Sequence, residues 1–173
     1  LDDALTELGQ TQMQQAVADF AGWDLVISSP LQRCQVFAEQ FATARGLPLR
    51  IEADLRELHF GDWEGRNAAE ILFEDEQALG QFWTDPYGYT PPAGEPVRDF
   101  ANRVLGAVAR LSEELAGQRV LIVTHGGVMR LLLARARGLP EAQLLQVEVP
   151  HASLMSLRCV AGELSEVAPC RLS

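Results

Sequence analysis

The chain has 173 residues, 47% of them apolar, and carries a formal net charge of −10. That apolar content is enough for the core of one domain spanning residues 1–173, whereas a strongly acidic chain with no basic stripe excludes a nucleic-acid surface, which must gather cations against phosphates. No apolar run approaches the ~20 residues that cross a bilayer and no signal peptide opens the sequence, so it reads as soluble and cytoplasmic with no membrane partner.

Residues 5–9, Leu-Thr-Glu-Leu-Gly, open a helix with Thr6 as its cap, and Met13, Val17 and Phe20 continue its apolar stripe towards Gly22. The run 24–28 is short, apolar and β-branched, which predicts a buried strand stopped by Ser29-Pro30. From 31 to 45 the apolar residues return to helical spacing, and Gly46-Leu47-Pro48 closes that helix. Residues 49–52 alternate as a strand, and 54–65 form a polar, glycine-punctuated loop suited to carrying function.

A helix is predicted over 67–83, followed at 85–96 by a proline- and glycine-rich loop. Val97, Phe100, Val104, Val108, Leu111 and Leu115 mark one long amphipathic helix, which feeds a strand at 120–123. A further helix spans 128–137, and two closing strands are expected at 146–149 and 153–160. Helices alternating with strands predict an α/β fold of three layers, with a mostly parallel central sheet and helices on both faces. Ligands of such sheets bind at the carboxyl ends of the strands.

All fourteen basic residues are arginine, which excludes Schiff-base chemistry and a phosphate-binding loop built on lysine. Cys34, Cys159 and Cys170 have no paired spacing, and His59, His125 and His151 are dispersed, so neither a disulfide framework nor a metal or other cofactor is implied.

Three segments carry candidate chemistry. In 121–130 a strand ends at His125, two glycines turn the backbone, and a helix begins whose amides can face an anion; the alternative is a histidine that merely caps the turn. Arg33 lies in the first turn of the helix after Ser28-Ser29-Pro30, where the helix dipole disfavours a cation, so an anion beside it would explain it; a surface ion pair is the alternative. The loop 55–65 offers several carboxyls, one of which, beside a bound phosphate, can donate a proton to a leaving oxygen.

Taken in order, Leu5-Thr6-Glu7-Leu8-Gly9-Gln10-Thr11-Gln12, Ser28 to Arg33, Leu55 to Gly65 and Val123-Thr124-His125-Gly126-Gly127 resemble the histidine phosphatase (phosphoglycerate-mutase-like) superfamily. The resemblance implies a phosphomonoesterase with a phosphohistidine intermediate, acting on a small phosphorylated metabolite. His125 then corresponds to the second catalytic histidine, Arg33 to the second arginine of the phosphate pocket and Glu57 to the general acid, with Gly126 offering a backbone amide. Phe60, Trp63, Trp83, Tyr87 and Tyr89 are candidates to wall the pocket against a flat base, or else core and loop anchors. His151 is either a substrate contact or a structural residue at a strand start.

The superfamily's nucleophile sits in an Arg-His-Gly motif ending the first strand, which this sequence does not contain. The expectation is a domain incomplete at its N-terminus, lacking that strand; a degenerate, non-catalytic phosphate binder is the alternative. Details of 57–65 and of the Pro-Pro-x-Gly-Glu loop are most similar to the alpha-ribazole phosphatases of cobalamin assembly. A mutase or sugar-phosphate phosphatase is the runner-up, although the short interval from Gly65 to Thr124 favours hydrolysis. The oligomeric state is left open, a homodimer being the candidate.

Overall fold

Val26 and Ile27 are adjacent, both fully buried, and face opposite ways, as successive residues of a strand must. They belong to β1 (Leu25–Ser28), the middle strand of a parallel sheet whose neighbours are β2 (Leu49–Ile51) and β3 (Val120–Val123). The register pairs Val26 with Leu49 on one side and Leu121 on the other. The computed structural model describes residues 1–168.

Each face of this sheet is sealed by helices. Val26, Leu121 and Val123 pack with Val17 of α1 (Glu7–Ala18) and with Cys34, Phe37 and Ala38 of α2 (Gln32–Arg45). Ile27 packs on the opposite face with Phe100 and Val104 of α4 (Val97–Glu114) and Val128 of α5 (Gly126–Ala136). Burying each of the Val, Leu, Ile and Phe side chains among them contributes about 1.5–3 kcal/mol. The three-layer α/β expectation is met, with the helices of each face named by the alternation within β1.

The helix predicted at 67–83 forms as α3 (Ala68–Thr84), opened by a capping box between Asn67 and Glu70. It is broken at Asp75, whose backbone is extended (φ −151°, ψ 83°) and whose carboxylate accepts the Ala78 amide at 2.9 Å. Asp75 therefore ends one helical segment and caps the next.

The C-terminal region departs from expectation. Residues 146–149 are not a strand: Glu141–Gln146 coil into a 3₁₀ turn, Leu144 and Val147 are buried singly, and the Val147 carbonyl accepts Arg130 Nε at 3.0 Å. Pro150, which has no N–H to give a ladder, follows. The last predicted strand starts later, as β4 (Ser156–Val160), and pairs antiparallel with an unpredicted β5 (Glu163–Val167). The turn at Ala161-Gly162 has positive φ at both residues, the geometry of a tight hairpin, but alanine there and a polar β5 hide it from sequence patterns. This hairpin forms a second sheet, separate from the parallel one. Cys170 lies outside the described residues.

Candidate active site

Because β1 and β3 are parallel and in register, Ser28 opposite Val123, their carboxyl ends deliver Ser29 and His125 to the same point. His125 Nε2 lies 2.7 Å from Ser29 Oγ. From the first turn of α2, Arg33 Nε donates to His125 Nδ1 at 3.2 Å. An accepting Nδ1 leaves the ring proton on Nε2, so the imidazole donates to Ser29.

His125 is buried, with 5% of its surface exposed. Burial, and then the Arg33 and Arg103 guanidiniums, push its pKa down to about 3, against an opposing effect of Asp2. The ring is neutral at physiological pH. Cys34 Sγ sits 3.6 Å from both ring nitrogens, and burial pushes its thiol up to about 12, so it remains protonated.

Glu57 reaches the same place from the loop after β2. Its carboxylate accepts the Leu58 amide and, at the start of α5, the Gly127 amide, both at 3.0 Å. The first turn of α5 holds no acidic residue of its own, and the Glu57 carboxyl takes the place of one as acceptor. A Cβ on residue 127 would crowd the Glu57 carboxyl, so a side chain there would displace this hydrogen bond. The Gly127 amide is thus taken by the chain's own carboxylate, next to the Gly126 amide that the resemblance assigns to phosphate. Thr124 Oγ1 donates to the Leu55 carbonyl at 2.9 Å and ties the same loop to the end of β3.

The start of α2 is met by the first residues of the chain. Asp2 accepts the Gln32 amide at 2.6 Å, capping α2 where Leu31 offers no side-chain bond, and Arg33 Nη1 donates to the Leu1 carbonyl at 2.9 Å. Arg33 and Glu57 face a cleft of about 830 Å³, with Leu1, Asp2 and Asp3 along one wall. His125 lies just beneath. The other end of the cleft is apolar, walled by Phe60, Trp63, Ile71, Phe82 and Trp83. Phe60 is half-buried, its ring meeting Phe82 edge to face at 6.0 Å.

Of the remaining sequence candidates, Tyr89 stacks on Trp63 at 5.8 Å and Tyr87 packs against the core under Arg98, so both are anchors outside the cleft. His59 stands exposed at the cleft rim, 3.7 Å from Glu64. His151 lies in an exposed turn away from it. Arg103 and Glu95 also border the cleft. Sequence reasoning met Glu95 only as the end of the Pro-Pro-x-Gly-Glu loop and passed over Arg103, which belongs to no motif or apolar pattern. Among the described residues, no group of three or more His, Cys, Asp or Glu side chains is arranged to hold a metal ion, and no helix is long and apolar enough to cross a membrane.

An arginine, an imidazole and a carboxyl meeting where parallel strands end, under helix N-termini, define a site for a phosphate-like oxyanion in an α/β protein. The chain belongs to the histidine phosphatase superfamily (branch 1), whose family model matches residues 1–168. It is 37% identical over 131 residues to the adenosylcobalamin/alpha-ribazole phosphatase of Escherichia coli K12, a match covering 76% of this chain and 64% of that protein. The structure of the alpha-ribazole phosphatase from Shigella flexneri superimposes with a TM-score of 0.82 at 31% identity, covering 97% of this chain and 85% of that one. A mycobacterial glucosyl-3-phosphoglycerate phosphatase gives the same TM-score of 0.82 at 30% identity, with 95% and 86% covered.

Proposed function

We propose that the protein is a phosphomonoesterase acting through a phosphohistidine on alpha-ribazole 5′-phosphate. The observation that carries this is a cleft lined by Arg33 and Glu57 and by aromatic side chains, with His125 bonded to Arg33 beneath it. Similarity to the E. coli and Shigella phosphatases supports the same substrate. A phosphoryl group fits the polar end and a flat base the aromatic end, against Phe60 and Trp83.

In this reading Arg33 holds a phosphoryl oxygen and compensates the charge that builds in the transition state. Neutral His125 donates from Nε2, exchanging Ser29 for a phosphoryl oxygen, and an arriving anion makes its protonation easier. The resemblance assigns the nucleophile to a histidine of an Arg-His-Gly motif, which this sequence does not contain. The nitrogen of that histidine forms a bond to phosphorus as the bond to the ester oxygen breaks, and Glu57 gives that oxygen a proton. Water then attacks the phosphohistidine, Glu57 takes a proton from it, and inorganic phosphate leaves with the histidine restored.

The test is phosphate release by the full-length protein from a panel of small phosphomonoesters, with trapping of an acid-labile phosphoenzyme. Turnover led by the benzimidazole riboside phosphate is expected; phosphate binding without turnover on any ester would leave a binding protein instead. Similarity to the mycobacterial sugar-phosphate enzyme supports a second reading, in which a phosphorylated sugar acid is preferred, and the same panel separates the two.

A further inference from the structure

Arg103 of α4 borders the cleft, yet all five of its N–H donors are already committed inside the protein. Nη1 donates to the carbonyls of Asp54 and Arg56 at 2.7 and 2.9 Å, and Nη2 to the carbonyl of Glu57 at 3.0 Å. Nε and the remaining Nη2 hydrogen go to the two carboxylate oxygens of Glu95 at 2.7 and 2.8 Å. None is left for a phosphoryl oxygen.

We infer that Arg103, locked by Glu95, is a positioning residue that sets where the Glu57 carboxyl stands relative to the leaving oxygen. The inference rests on the acid role of Glu57 proposed above. Residues 56–60 form neither helix nor ladder, so their backbone depends on other partners for its geometry. Arg103 fixes the carbonyls up to and including that of Glu57. Glu95 fixes the far side, its amide donating to the His59 carbonyl at 2.8 Å and its carboxylate accepting the His59 amide at 3.4 Å.

The base of this clamp is rigid. Arg103 sits between Ala101 and Val104, both in the core, with its guanidinium 5.0 Å above the Phe100 ring. Among the described residues, the carboxylate that balances its half-buried charge is Glu95. Burial by itself would raise the Glu95 carboxyl, but the Arg103 guanidinium outweighs it and holds the pKa below the ordinary value. Lysine has three donors around one atom and cannot span three carbonyls and a carboxylate in a plane.

The experiment compares Arg103→Lys and Glu95→Gln with wild type in the full-length protein, on an alkyl phosphate and on p-nitrophenyl phosphate. Losing protonation of the leaving group penalises a basic alkoxide heavily and a p-nitrophenolate little. For the alkyl ester, kcat/KM should fall by roughly a hundredfold, as a displacement of about 1 Å can cost, and for p-nitrophenyl phosphate by far less. In a Glu57→Gln background the Arg103→Lys change should cost nothing further on the alkyl ester. Equal losses on both esters, or a full additional loss in that background, would overturn the positioning role while leaving the phosphatase reading intact. A wild-type protein inactive on both esters would overturn both. Glu95→Gln keeps the shape of the pair and carries the test should Arg103→Lys fail to fold, as checked by thermal melting.

Discussion

The two ends of the cleft are built to different standards. At the polar end, Arg33, His125, Ser29 and Glu57 are each held by at least one hydrogen bond to a neighbour that is itself fixed at a strand end or helix start. At the aromatic end, Phe60 and Trp63 are anchored by ring contacts, but Trp83 is 51% exposed and α3 behind it is broken at Asp75. The contrast teaches that the polar end is preorganised by the sheet, whereas on the proposed function contact with the leaving group falls to a wall the sheet does not control.

The harshest test of that contrast strikes the polar end. Replacing Arg33 by Met in the full-length protein should lower kcat/KM by about 10²–10³ for every ester, because a charge-stabilising contact is lost whatever the leaving group. Steady-state assays on an aromatic-base ester and a small alkyl ester check this. A loss confined to one of them would mean that Arg33 selects substrates.

Second in size is an effect of acid on stability at the same end. The His125 pKa is about 3 when folded against 6.5 ordinarily, so on acidification the unfolded chain takes up the proton first. The stability present above about pH 6.5 is lost as pH falls from there towards 3, at no more than about 1.4 kcal/mol per pH unit. Between about pH 6.5 and 4.5 this amounts to roughly 2 kcal/mol. Denaturant melts across that window should show the slope in wild type and a shallower one in His125→Asn; parallel slopes would mean the ring is not buried neutral.

How far the sequence revealed this division follows from the kind of contact involved. His125, Arg33 and Glu57 are legible because each sits at a strand end, a helix start or a motif-bearing loop, and the parallel topology brings those ends together. Phe60 and Trp83 are legible only as aromatics, since pattern alone does not separate a cleft wall from a loop anchor such as Tyr89. Arg103 and the bond of Gly127 to Glu57 escape because the backbone carbonyls and the carboxyl involved lie 46 to 70 residues away, which leaves no local spacing. The strand expected at 146–149 fails for a related reason: buried Leu144 and Val147 belong to a coil whose carbonyl is claimed by Arg130.

At the aromatic end the expected effects are smaller and selective. Trp83→Ala should cost the aromatic-base ester about 0.5–1.5 kcal/mol in kcat/KM, the worth of a ring contact, and leave the small alkyl ester unchanged. Equal losses on both would show that Trp83 supports the fold of the reacting centre rather than the wall.

The smallest expected effect probes whether α3 is held at all beyond that wall. Phe73, just before the break at Asp75, is 93% exposed, so it buries almost nothing that folding could gain. Phe73→Ser should change stability by less than about 0.5 kcal/mol, as surface substitutions do. If chemical denaturation gave a loss above 1 kcal/mol, as flagged for large effects only by burial or packing, the first segment of α3 would have to pack closed over the cleft in solution. The two ends of the cleft would then be equally fixed, and the looseness assigned to the aromatic wall would have to be given up.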